Sequence, residues 1–91
     1  MAIALYFAPK SMSREQYDDV IKRLDAAGAG SPAGRTYHVA FAAGPNIHVF
    51  DVWDSPEAFQ AFGETLMPIL AEAGIDPGQP FPAPVHNIKA G

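Results

Sequence analysis

Phe50-Asp51-Val52-Trp53-Asp54-Ser55-Pro56-Glu57-Ala58-Phe59 is the stretch that decides the fold. It predicts a buried strand that runs directly into a helix. Positions 55–57 supply an N-capping serine, a proline suited to the first helical position and an acid in the first turn. Asp51 and Trp53 are two residues apart on the strand, so their side chains share one face. A carboxylate between large apolar groups is unusual on a buried strand, and we therefore look for chemistry here.

Outward from this stretch, the 91-residue chain predicts a single domain with the order β-α-β-β-α-β. Ser13 and Gln16 form a capping-box pattern that opens the first helix. Pro68 should kink or split the second helix. The order is that of a ferredoxin-like α+β fold, with two helices on one face of a four-stranded antiparallel sheet. The predicted strands are 2–8, 35–43, 46–53 and 85–89, the helices follow Ser13 and Ser55 and end at Gly28 and Gly74, and the proline-rich segment 75–84 is expected to be irregular.

The two central strands should form a hairpin with Gly44 and Pro45 at its turn. If these are the two central turn residues, Ala43 faces Asn46. Counting back then places His38 opposite Asp51. A β-bulge would shift this register.

Because the helices cover only one face of the sheet, the other face would be exposed to water unless something else covered it. We expect that face to carry Tyr6, Ala40, Ala42, Val49 and Trp53, a set too apolar to leave in water. A second copy of the chain would cover it, so the sequence predicts a homodimer. His48 is expected on the opposite, helix-facing side.

With these elements in place, the chain resembles the dimeric α+β barrel superfamily, in particular the small proteins similar to antibiotic-biosynthesis monooxygenases. The resemblance covers nearly the whole length. It implies a homodimer with a pocket in each subunit, between sheet and helices or inside the shared barrel. Cofactor-free oxygenation, isomerisation and non-catalytic ligand sensing are all known in the superfamily. Phe59 and Phe62 stand where the monooxygenases usually have a histidine. The resemblance is carried by the stretch 50–59, by Leu66-Met67-Pro68 and by Ala71-Glu72-Ala73-Gly74.

His38 and Asp51 are the candidate catalytic residues. A carboxylate that accepts from one imidazole nitrogen fixes the tautomer and raises the basicity of the other, as a general base requires. The alternative is a structural pair, buried at the dimer interface, in which each side chain only provides the other with a hydrogen-bond partner. The candidate ligand-binding residues are Tyr6, Ala40, Trp53 and His86.

Composition excludes several classes of function. A net charge of −4 with six scattered Lys and Arg residues offers no basic surface for nucleic acid. No apolar run is long enough to span a membrane, and we expect a cytoplasmic protein. The chain has no cysteine, and its histidines lack the usual ligand spacing, so we expect no metal site and no cofactor.

Two hypotheses of function remain. The first is a homodimeric barrel protein that binds a small apolar or aromatic molecule, with cofactor-independent monooxygenase-like or isomerase-like chemistry. The second is a non-catalytic, stress-responsive or ligand-sensing dimer in which the same polar groups are structural.

Overall fold

The computed structural model describes residues 1–91 and has the predicted order of elements. The elements are β1 (Ile3–Phe7), α1 (Arg14–Ala26), β2 (Arg35–Ala43), β3 (Asn46–Trp53), α2 (Pro56–Glu72) and β4 (Phe81–Pro84). The four strands form one antiparallel sheet in the order β2-β3-β1-β4. The fold is ferredoxin-like α+β, as predicted. No helix has the length and apolar character needed to cross a membrane.

Both helices begin at the predicted caps. The Ser13 hydroxyl accepts from the Gln16 backbone N–H, and the Gln16 side chain accepts from the Ser13 N–H, which completes the capping box. Ser55 caps α2 by accepting from the Ala58 N–H at 3.1 Å. Pro68 lies inside α2 and does not split it.

The central hairpin has the predicted register. Ala43 pairs with Asn46, and His38 pairs with Asp51. Gly44 lies in the turn with φ of 65°, a conformation that a residue without a Cβ adopts at little cost. An irregularity between Arg35 and Tyr37 shifts the register only beyond His38.

The last strand does not lie where the sequence predicted it. Strand β4 is Phe81–Pro84, inside the segment expected to be irregular, and residues 85–89 are not a strand. The Val85 N–H donates to the Ala2 carbonyl, so alternate residues of β4 direct their N–H groups toward β1. Pro82 and Pro84 therefore direct their nitrogens away from the sheet. An edge strand tolerates proline in this arrangement.

Tyr6 lies on the uncovered face of the sheet as predicted, but the rest of the predicted face assignment is wrong. Ala40 and Ala42 pair with Val49 and Ile47 on the helix-facing side. Val49, Asp51 and Trp53 are buried against the helices, and Trp53 is 0% exposed. His48 lies on the uncovered face instead, where its ring meets Tyr6. The uncovered face is nonetheless apolar and aromatic, and we call its exposed or partly buried rings the aromatic face: Tyr6, Tyr37, Phe41, His48, Phe50 and Phe81.

Candidate functional site

A cavity of about 290 Å³ lies between the helix-facing side of the sheet and the two helices. Its walls are mostly apolar, with Leu24 from α1 and Phe62 and Leu70 from α2 among the buried lining residues. It reaches the surface near Met67 and the loop at 77–80, where lining residues are exposed. The volume is at the small end of the range for ligand pockets and suits a compact molecule.

Three of the polar side chains that line this cavity belong to a hydrogen-bonded network that crosses from α1 to β3. The Tyr17 hydroxyl lies 2.7 Å from His38 Nε2, and His38 Nδ1 lies 2.6 Å from Asp51 Oδ1. Trp53 Nε1 donates to Asp51 Oδ2 at 3.3 Å. We call Tyr17, His38, Asp51 and Trp53 the His38 network. Tyr17, His38 and Asp51 line the cavity.

The local sequence explains how the network is positioned. The hairpin register holds His38 and Asp51 side by side on neighbouring strands. Tyr17 belongs to the buried side of α1, which places its ring parallel to the His38 ring with centroids 6.1 Å apart. Trp53 packs against Phe59 and Phe62 and so fixes the indole that holds Asp51.

Hydrogen-bond chemistry assigns the protons in this network. A carboxylate oxygen accepts, so His38 Nδ1 carries its hydrogen toward Asp51. In the neutral imidazole Nε2 then accepts from the Tyr17 hydroxyl. Burial raises the pKa of Tyr17 above its ordinary value of 10.0, and Asp51 and Asp18 raise it further, although Arg35 opposes them. Tyr17 therefore keeps its proton at neutral pH and acts as the donor to His38.

The structure separates the predicted site residues into three groups. His38 and Asp51 pair and line the cavity. Trp53 lies behind the wall and reaches the site only through Asp51. Ala40, Tyr6 and His86 lie outside the cavity. Ala40 borders a separate groove beside α1, Tyr6 is on the aromatic face bonded to His48, and His86 is exposed beyond β4.

Tyr17 and Arg35 are the functional candidates that the sequence did not reveal. Tyr17 lies on the apolar side of α1, as a core residue would. Only its hydroxyl indicates that a hydrogen-bond partner must lie opposite it. Arg35 begins β2, where a cation usually faces solvent. It lines the cavity instead. No group of three His, Asp or Glu side chains is arranged to hold a metal ion.

Three solved structures share this architecture. A proposed antibiotic biosynthesis monooxygenase from Chloroflexus aurantiacus J-10-fl superposes with a TM-score of 0.67 at 24% identity, covering 100% of both chains. The cofactor-independent oxygenase SnoaB from Streptomyces nogalater gives 0.61 at 17% identity, covering 96% of this chain and 93% of the other. A protein of unknown function from Nitrosomonas europaea gives 0.53 at 21% identity, covering 99% and 94%.

The chain has the fold of the antibiotic biosynthesis monooxygenase-like proteins. The predicted resemblance to the antibiotic-biosynthesis-monooxygenase-like proteins is confirmed at the level of fold. No protein-family model matches the sequence, and no curated protein matches it. A monooxygenase-like fold hosts more than one activity, so function must be argued from the cavity and the His38 network.

Proposed function

We propose that this protein binds a small apolar or aromatic molecule in the cavity and removes a proton from it, for cofactor-independent oxygenation. The proposal is carried by one observation: the His38 network ends with the Tyr17 hydroxyl at the wall of a mostly apolar cavity. The monooxygenase-like fold and the cofactor-independent activity named for SnoaB support it.

The network can move one proton without exposing a charge to water. The Tyr17 oxygen, which donates to His38, keeps a lone pair for an acidic hydrogen of the ligand. As that proton reaches Tyr17, the tyrosine proton passes to His38 Nε2. The resulting imidazolium is stabilised by Asp51 at 2.6 Å. The ligand is left as an anion.

Oxygenation of that anion balances with dissolved O₂ as the oxidant. A ring methylene and O₂ become a ring carbonyl and water. The ligand supplies all the electrons, one oxygen atom enters the product and the other leaves as water. The part of this protein is to bind the ligand, exclude water and take the first proton.

Oxygen consumption with anthrone tests the proposal. The methylene of anthrone is acidic because its deprotonation gives an aromatic enolate. We expect turnover by the wild type that falls at least about a hundredfold in His38→Gln and in Tyr17→Phe, the usual contribution of a positioned acid or base. The matched control is His48→Gln, on the aromatic face, which should retain wild-type turnover. Equal turnover in all four proteins would refute the assignment of the base.

A second candidate is a non-catalytic, ligand-sensing or structural role. It is favoured by the completeness of the network, since no buried side-chain nitrogen or oxygen lacks a hydrogen-bond partner. In this case the wild type would consume no oxygen with anthrone or related enolisable aromatics, and Tyr17→Phe and His38→Gln would change only the melting temperature.

We further propose that the protein is a homodimer through the aromatic face. Tyr37 is 56% exposed, Phe41 40% and Phe81 68%, and contiguous aromatic surface of this kind is characteristic of an interface. We expect light scattering to give twice the chain mass at micromolar concentration. Phe41→Glu should give the single mass, because it places a charge on this face beside Tyr6 and His48, whereas Met67→Glu near the cavity should remain dimeric. A monomeric wild type would refute the proposed interface.

A further inference from the structure

Arg35 is the one lysine or arginine that lines the cavity. It pairs with Trp53 across the β2–β3 ladder, on the helix-facing side of the sheet. Its guanidinium carbon lies 6.0 Å from the centre of the Phe62 ring, and Nη2 donates to the Gly30 carbonyl at 3.1 Å. These contacts fix the side chain over an aromatic wall of the cavity.

No carboxylate pairs with this guanidinium. The ion pairs of the structure involve Arg23 and His38, and none includes Arg35. Asp51, the one acid that lines the cavity, has both oxygens engaged by His38 and Trp53. A partly buried cation without a counter-ion is costly, and one that borders an apolar cavity is suited to an anion from outside.

The remaining donors of Arg35 are available to such an anion. The guanidinium carries several N–H groups in a planar fork, and the Gly30 carbonyl takes only one of them. Since no buried nitrogen lacks a partner, the free N–H groups reach open space, which next to this side chain includes the cavity. A carboxylate matches the fork with two parallel hydrogen bonds.

We propose that the ligand of this cavity is a small aromatic carboxylate, whose carboxylate binds Arg35 and whose ring lies against Phe62, Leu70 and the other apolar walls. The inference rests on the proposed function, because it assumes that the cavity is the ligand site. It adds the chemical class of the ligand and names Arg35 as the residue that selects it.

Calorimetric titration with 2-naphthoate and 2-naphthamide tests this inference, because the two molecules share shape and apolar area and differ in charge. We expect wild-type protein to bind the naphthoate at least about tenfold more tightly, the effect of one charge-assisted hydrogen-bond pair. Arg35→Gln should remove the preference, and Arg35→Lys should keep part of it. Lys22→Gln, which removes an exposed positive charge from α1, should leave both affinities unchanged.

The outcomes separate this inference from the proposed function. Equal wild-type binding of both molecules would overturn the carboxylate assignment while the cavity remained a ligand site. Binding of neither molecule would overturn both. The wild-type comparison needs no variant, so it decides the matter even if Arg35→Gln fails to fold. If a folded Arg35→Gln variant still prefers naphthoate, another residue is responsible for the preference and the role of Arg35 is refuted.

Discussion

Removing either member of the His38–Asp51 pair should cost more than half of the stability that is lost when both are removed. Asp51 is 4% exposed and accepts from His38 at 2.6 Å and from Trp53 at 3.3 Å. In His38→Ala the carboxylate stays buried with only the long indole bond. We expect a loss of about 3 kcal/mol, at the lower limit for breaking a buried pair. Asp51→Ala strands the imidazole and the indole N–H, and we expect a similar loss.

The double variant removes both partners of the hydrogen bond, so its loss should be smaller than the sum of the single losses. We expect about 4 kcal/mol for His38→Ala with Asp51→Ala, which gives a coupling energy of about 2 kcal/mol. Urea unfolding of the four proteins measures this cycle. All four must be compared at one protein concentration, because subunit association would make the transition concentration-dependent.

The control cycle uses Tyr6 and His48 on the aromatic face. Their side chains lie 2.7 Å apart, as close as the atoms of the His38 network, but the contact is exposed. Water replaces such a bond, and we expect a coupling energy of about 0.5 kcal/mol for Tyr6→Phe with His48→Ala. If the losses of His38→Ala and Asp51→Ala add to within about 0.5 kcal/mol, the argument that this pair is a coupled, buried unit is refuted.

Three further predictions follow from the geometry. Because the folded pKa of Tyr17 is raised above 10.0, the stability it contributes is complete below pH 10 and is lost as the pH rises through the folded value; Tyr17→Phe should show a shallower alkaline decline in unfolding free energy. Gly34→Ala should destabilise by at least about 2 kcal/mol in chemical unfolding, since Gly34 has φ of 89° and a Cβ there would lie 2.6 Å from the Ala58 Cβ. Ala83→Pro should cost about 1–3 kcal/mol by removing a ladder N–H, whereas Pro82→Ala should change stability by less than about 0.5 kcal/mol, as differential scanning calorimetry would show. Three results would contradict these arguments. They are an unchanged alkaline decline in Tyr17→Phe, wild-type stability of Gly34→Ala, and equal losses of stability in Ala83→Pro and Pro82→Ala.

The hairpin was predictable because its determinants are local. A two-residue turn at Gly44 and Pro45 fixes which residues face each other, and the pairing of His38 with Asp51 follows by counting. The capped helix starts at Ser13 and Ser55 were predictable for the same reason. The position of β4 was not, because proline content argues against a strand unless the strand lies at an edge with its prolines facing outward.

The faces of the sheet could not be assigned from alternation alone. A period of two sorts side chains into two sets, but it does not say which set receives the helices. Trp53 and Val49 are apolar enough for either face, and so are Tyr6 and Phe41. Tertiary packing decides between them, since α1 and α2 bring Val20, Leu24, Phe62 and Leu70 against the set that holds Trp53. Tyr17 joined His38 by the same packing, which no pattern in the sequence reveals.

The corrected faces change what the His38 network can do. If the network lay on the uncovered face, the structural hypothesis would make it part of the dimer interface, and loss of the dimer would disrupt it. It lies instead between sheet and helices, on the opposite side from the aromatic face. The proposed dimer interface and the proposed site of chemistry therefore lie on different surfaces. The proposed monomer made by Phe41→Glu should retain the affinity of the cavity for 2-naphthoate, because the sheet itself separates Phe41 from His38 and Arg35.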